Sequence, residues 1–177
     1  MPRPRVLPFI ILGLLNKNGM MSGKDMINEF KCEISEFWTV SHSQLYPELQ
    51  RMTEEGQIKV VSDPEVKDHK IINYEIEAKG EISLEDWLKA PITLKNDELT
   101  SLKLYCIGDR QSNVLRQILE QELALHEDKV IHLKQRQAKL FSQDEQIDAN
   151  YGHYLILTRA IEREEAYVGW LKDKSVE

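Results

Sequence analysis

The chain has 177 residues, of which 41% are hydrophobic and 30% charged, and its formal net charge is −7. That length suits one medium domain or two small ones with buried cores, and no apolar run approaches the roughly 20 residues that a membrane-spanning helix needs. The acidic balance excludes a non-specific coater of DNA, though not a specific binder whose contacting surface is locally less acidic than its body.

The apolar stretch from Val6 to Leu15, ahead of Asn18-Gly19, predicts a buried helix closed by a glycine cap. With Met1-Pro2-Arg3-Pro4-Arg5 before it, this stretch superficially resembles a signal peptide. It runs straight into Asn16, Lys17 and Asn18 with no small-residue cleavage site, so a cytoplasmic location is expected. Ser22-Gly23-Lys24-Asp25 is a capping-box-like start, and Met26, Ile27, Phe30 and Ile34 recur behind it at helical spacing. A third helix begins near Ser41 to Ser43, where Ser41 and Gln44 suit a second capping box. Leu45, Leu49 and Met52 mark its inner face, and Gly56 ends it. Pro47 sits inside it against propensity, so the helix is expected either to start later or to bend there.

Two stretches of period two follow, one carrying Ile58 and Val60, the other Ile72, Tyr74 and Ile76. Ser62-Asp63-Pro64-Glu65 between them is turn chemistry, so the pair predicts a β-hairpin with a long charged tip. A short helix comes next, with Leu84, Trp87 and Leu88 on one side and Pro91 past its end.

From Asp97 onward there is no strand signal. Leu119, Leu123, His126, Val130, Leu133, Gln137 and Leu140 form a heptad-like seam with two polar interruptions. After a break at 142–150, Tyr154, Leu157, Ile161, Glu164, Val168 and Leu171 repeat the spacing, which predicts an antiparallel helical hairpin. The fold class is therefore mainly α with a small β-hairpin: a winged helix-turn-helix over residues 1–90, then a helical dimerisation and effector-responsive arm over 91–177. Two amphipathic helices with exposed seams cannot bury them alone, and an operator with two half-sites needs a two-fold protein, so a homodimer is expected.

The order helix, helix, helix, hairpin, helix lets the third helix present a polar face to a major groove while the hairpin tip reaches the backbone. The candidate DNA-binding residues are His42, Ser43, Gln44 and Tyr46 on that helix, with Lys59, Lys67 and Lys70 along the hairpin. Ser41 and Gln44 also serve as caps, and Tyr46 also serves as a packing residue. Against an enzyme stands the lack of a GxGxxG, P-loop, HExxH, GxSxG or paired Cys/His pattern, so no catalytic residue, metal ligand or cofactor is assigned. Cys32 and Cys106 are too isolated for a metal site and read as small core residues. A winged helix used for protein contacts alone remains an alternative reading.

Ile11-Leu12-Gly13-Leu14-Leu15, Met21-Ser22-Gly23-Lys24-Asp25, Phe37-Trp38, Ser41 through Leu49, Gly56-Gln57-Ile58 and Trp87-Leu88 together resemble the PadR family of bacterial regulators. The proline inside the third helix belongs to that pattern, whereas Lys24 stands where the family often has Tyr. In the arm, Tyr151 through Thr158 and Glu162-Arg163-Glu164 resemble the phenolic-acid-responsive branch. The resemblance implies dimerisation through the C-terminal helices. It also implies a repressor of a phenolic acid decarboxylase gene, released by acids such as p-coumarate or ferulate; other branches would imply a drug-efflux regulator that answers to hydrophobic drugs. Such an effector needs an apolar slot and polar groups for its hydroxyl and carboxylate. The effector candidates are His153, Tyr154 and Leu157 at the start of the last helix, whose N–H groups suit an anion, together with Phe9 and Asn16 on the first helix.

Overall fold

The computed structural model describes residues 5–32, 40–61, 72–93 and 99–176. Ile34, Phe37, Trp38, the turn at 62–65, Lys67 and Lys70 lie outside the described residues. The chain divides into two compact units: Met1–Ala90 with Glu98–Ser112, and Pro91–Asp97 with Asn113–Glu177. A single cut after residue 90 does not capture this division, because the short helix α5 (Thr100–Tyr105) packs within the first unit.

In the first unit, α1 (Leu7–Asn18) is buried almost all round, with Ile10, Ile11, Leu12, Leu14 and Leu15 in the core. Each such side chain contributes about 1.5–3 kcal/mol by leaving water. A helix that is apolar on every face must be central, and here α3, α4 and the sheet surround it. Gly19 (φ 74) ends it, and Gly56 (φ 70) follows α3 in the same left-handed region that side chains other than glycine disfavour. α2 (Gly23–Cys32) buries Met26, Ile27 and Phe30. Its cap is reciprocal: Ser22 Oγ accepts from the Asp25 N–H at 3.2 Å, and Asp25 Oδ2 accepts from the Ser22 hydroxyl at 2.6 Å. Cys32, expected in the core, is exposed instead, because it falls on the face of α2 opposite Phe30.

α3 (His42–Glu54) buries Leu45, Leu49 and Met52 and runs continuously through Pro47. The ladder bond from position 47 to the Ser43 carbonyl is missing, and both residues are exposed, so solvent can take its place. The hairpin strands are β2 (Ile58–Val61) and β3 (Asn73–Ile76), paired with Lys59 opposite Glu75 and Val60 opposite Tyr74. A third strand, β1 (Met21–Ser22), adds to the far edge of β3, giving the order β1-β3-β2. Two residues are too few for any period-two signal, so the sequence could only suggest the hairpin.

The expected alternation holds in part: Ile58 at the base of the hairpin and Tyr74 are 1% and 8% exposed, but Val60 is 54% and Ile72 52% exposed. α4 (Ala78–Lys89) starts in close contact with that base, where a Cβ at Gly80 would come within 2.2 Å of the Gln57 carbonyl oxygen. α5 in turn sets Cys106 against α1, where a Cβ on Gly13 would fall 2.3 Å from its sulfur.

The second unit is the antiparallel pair α6 (Asn113–Leu140) and α8 (Tyr151–Val176). The break between them holds a further short helix, α7 (Asp144–Ala149). Leu157, Ile161, Glu164 and Leu171 are buried on α8 as the heptad spacing predicts. On α6 the buried seam residues are Leu119 and His126, joined by Ile118 and Glu122. Among the described residues no helix is long and apolar enough to cross a membrane.

Candidate nucleic-acid interface

The first turns of α3 bring four of the predicted DNA-binding residues together. His42, Ser43, Gln44 and Tyr46 are all exposed. The His42 and Tyr46 rings stack with centroids 6.0 Å apart, as residues one helical turn apart can. Gln44 holds the helix start as well as facing outward: its Oε1 accepts from the Ser41 N–H and the Ser41 hydroxyl, both at 3.0 Å. That leaves its amide NH2, a pair of donors, for an incoming acceptor. The Ser43 and Ser41 hydroxyls lie 2.8 Å apart.

Tyr46 has two environments. Its ring covers the start of α2 so closely that a Cβ on Gly23 would lie 2.8 Å from it, while the residue as a whole stays 45% exposed. Its neighbour Tyr74 has a phenol pushed above its ordinary pKa by burial first and by Tyr46 second. The packing role and the outward-facing role of Tyr46 therefore coexist.

Lys59 is at the base of the hairpin, with its ammonium 3.0 Å from Glu75 and 3.5 Å from Glu77. The cross-strand register makes the first pair, and Glu75 holds the Lys59 pKa above the ordinary lysine value. This lysine is thus already ion-paired within the chain, which no one-dimensional charge pattern reveals.

The effector candidates divide between the units. In the first unit, Phe9 lies flat on Trp87, with centroids 5.0 Å apart and rings 3° from parallel, and Asn16 is exposed in the last turn of α1. Behind Trp87 is the buried Lys103, its ammonium 5.7 Å from the indole and donating to the Ala90 carbonyl at 2.7 Å. In the second unit, His153 and Tyr154 both meet the Phe141 ring edge-on, at 5.4 and 5.5 Å, and Leu157 is buried one turn later. The backbone N–H groups of His153 and Tyr154 already donate to the Asn150 carbonyl at 2.9 and 3.0 Å. Those two donors are therefore engaged rather than open to an anion.

Three sets of contacts went unrecognised in the sequence. Arg51 is exposed on α3, 3.8 Å from Glu48. Arg5, just before α1, bonds both Glu48 and Glu55. In the second unit a polar layer interrupts the apolar seam. There His126 Nδ1 donates to Glu164 Oε2 at 2.6 Å, Tyr167 donates to Glu122 at 2.9 Å, and Lys129 and Arg163 reach the other Glu164 oxygen at 3.1 and 3.0 Å. His126, Lys129, Arg163, Glu164 and Tyr167 line a cleft of about 370 Å³. The heptad spacing marked His126 and Glu164 as polar seam positions, but only the register of the two helices makes them partners. Among the described residues no group of three acidic, His or Cys side chains is placed to hold a metal.

Residues 11–86 match the transcriptional regulator PadR-like family, and residues 96–174 match the family described as virulence activator alpha C-term. The chain is similar to the negative transcriptional regulator PadR of Bacillus subtilis (strain 168), with 35% identity over 175 residues covering 95% of this chain and 94% of that protein. Two solved structures of Bacillus subtilis PadR are also similar. One, in complex with operator DNA, is 34% identical over 98% of both chains, with a TM-score of 0.46. The other, in complex with p-coumaric acid, is 34% identical over 97% of this chain and 98% of that one, with a TM-score of 0.42.

Proposed function

Because the chain belongs to the PadR-like family of transcriptional regulators, we propose that it is a cytoplasmic, homodimeric, non-catalytic repressor that binds a two-fold operator and is released by a phenolic acid. The observation that carries this reading is the 35% identity to a negative transcriptional regulator across 95% of the chain, spanning both the winged portion and the helical arm. Bacillus subtilis PadR has been captured with operator DNA and with p-coumaric acid, and kinship in sequence is the ground for assigning the same two ligands here.

Residues 1–90 do the DNA reading in this proposal. The outward donors of Gln44, Ser43, His42 and Tyr46 meet base edges or phosphates in a major groove, and Lys67 and Lys70 meet the flanking backbone. Lys59 adds to the local field only after Glu75 and Glu77 take their share. Residues 91–177 supply the dimer. Leu155 and Ile156 of α8 and Ile131 of α6 are 48%, 70% and 54% exposed, apolar side chains that a second copy would spare from water. Release follows when the effector favours the arrangement in which the two recognition helices no longer match successive grooves about 34 Å apart. Phe9, Asn16, His153, Tyr154 and Leu157 are the proposed effector-side residues. The Phe9–Trp87 stack and the Phe141–His153–Tyr154 group are the aromatic surfaces in each unit that suit a phenol ring.

The test is a pair of titrations. Operator affinity is measured with and without p-coumarate, and p-coumarate affinity with and without operator. Linkage requires the same factor in both directions, typically about 5- to 150-fold. His153→Ala should keep its DNA affinity and need far more p-coumarate for release. Release at an unchanged ligand concentration would make His153 structural, and a one-way coupling would sink the release model. Release by a hydrophobic drug but not by p-coumarate would move the chain to another branch of the family.

A further inference from the structure

The reading helix α3 is not a cationic element. It carries Glu48 and Glu54, with Glu55 at its C-cap, against Arg51 and the neutral donors of its first turns. A carboxylate brought up to a duplex meets phosphates of the same sign, so an acid on α3 without a cationic partner opposes docking. Glu54 accepts from Gln50 at 3.0 Å, a neutral donor that leaves its charge in place. Glu48 and Glu55 are held by cations. Glu48, whose side chain is only 11% exposed, accepts from Arg5 through Nε at 3.0 Å and also through a terminal nitrogen, and Arg51 stands 3.8 Å away. The remaining terminal nitrogen of Arg5 reaches Glu55 at 3.2 Å.

One guanidinium ahead of α1 thus spans two carboxylates seven positions apart on the flank of α3. Arg5 and Arg51 offset the charges of Glu48 and Glu55, while Glu54 keeps its own. Removing Arg5 leaves this flank one unit more negative.

We propose that Arg5 is a positioning residue for DNA recognition, neutralising Glu48 and Glu55 so that α3 approaches the phosphate backbone with less repulsion. The proposal rests on the reading of α3 as the DNA-contacting helix. Arg5 needs no phosphate of its own for this role, because its donors are turned onto the helix. The Arg5 side chain is 41% exposed, so solvent screens the pair in the free protein and its share of fold stability is small. The effect appears when DNA arrives and excludes that solvent.

The experiment is a double-mutant cycle on the full-length protein. Operator and unrelated duplexes are titrated at one fixed salt concentration with the unmodified chain, Arg5→Ala, Glu48→Gln and the double variant, each with its thermal midpoint. Arg5→Ala should weaken binding to both duplexes by roughly three- to tenfold, the scale of one interfacial charge, with its thermal midpoint nearly unchanged. Glu48→Gln alone should bind at least as tightly as the unmodified chain, and the double variant should regain most of the loss.

If the double variant stays as weak as Arg5→Ala, Arg5 acts on DNA directly and the proposal is wrong. If Glu48→Gln weakens binding as much as Arg5→Ala, or both lower the thermal midpoint together, the pair is a brace rather than a neutraliser, which also overturns it. A wild-type chain that binds neither duplex would sink the DNA-binding reading itself, an outcome distinct from an intact binder whose cycle shows no coupling.

Discussion

His126 Nδ1 and Glu164 Oε2 meet 2.6 Å apart inside the α6–α8 seam, with His126 6% and Glu164 3% exposed. Burial pushes the Glu164 carboxyl up, but hydrogen bonds from His126, Arg163 and Lys129 outweigh that and hold it below the usual carboxylate value. A carboxyl with a depressed folded pKa contributes stability that is present above its unfolded value and is lost as pH falls through the folded one. Glu164→Gln should therefore lower stability near neutral pH by about 1–3 kcal/mol and flatten the acid limb of the stability curve below pH ~4.5. Thermal melts from neutral to acid pH test this. An acid limb as steep in Glu164→Gln as in the unmodified protein would show that other carboxyls carry it.

Gln44 has two separable tasks, capping α3 with its oxygen and offering its amide outward. Gln44→Ala removes both, and loss of the cap alone should cost about 1 kcal/mol of stability. Gln44→Glu keeps the acceptor oxygens for Ser41 and removes the donors, so it should retain the thermal midpoint yet lose discrimination at one operator base pair, worth roughly 1–3 kcal/mol. Equal loss of stability in the two variants would mean that the cap does not depend on the side-chain oxygen.

The two kinds of hairpin lysine should behave differently. Lys67→Ala should reduce the slope of log affinity against log salt by about 0.9, the value of one phosphate contact. Lys59 is shared with Glu75 and Glu77 at 3.0 and 3.5 Å, so Lys59→Ala should change the slope by a smaller amount. A slope for Lys67→Ala equal to that of the unmodified protein would remove the hairpin tip from the interface.

The two thiols should separate cleanly. Burial pushes the Cys106 thiol up to about 12, and its sulfur is packed against Gly13, whereas Cys32 is exposed. Thiolate is the reactive form. A thiol reagent at pH ~8 should modify one cysteine per chain quickly, and Cys32→Ser should abolish that fast phase. Two equal fast phases in the folded protein would contradict the packing of α5 on α1.

The sequence by itself determined what depends on local chemistry and periodicity. Glycine ended α1, Ser22 with Asp25 capped α2, and the spacing of Leu45, Leu49 and Met52 set the inward face of α3. The heptad steps from Leu119 and from Tyr154 determined the two long helices, and the motifs around them carried the family. Each of these is a relation among residues within a turn or two of one another. Partnerships across the chain were decided only by the tertiary structure. The pairing of Lys59 with Glu75 needed the strand register, and that of His126 with Glu164 needed the alignment of α6 with α8. The hold of Arg5 on Glu48 and Glu55 needed α3 to pack beside the start of α1. A charge pattern along the chain counts Lys59 as a free cation and Glu48 as a free acid. Whether either charge is available to DNA depends on a partner's distance, which is settled only when the elements that carry the two groups are packed together.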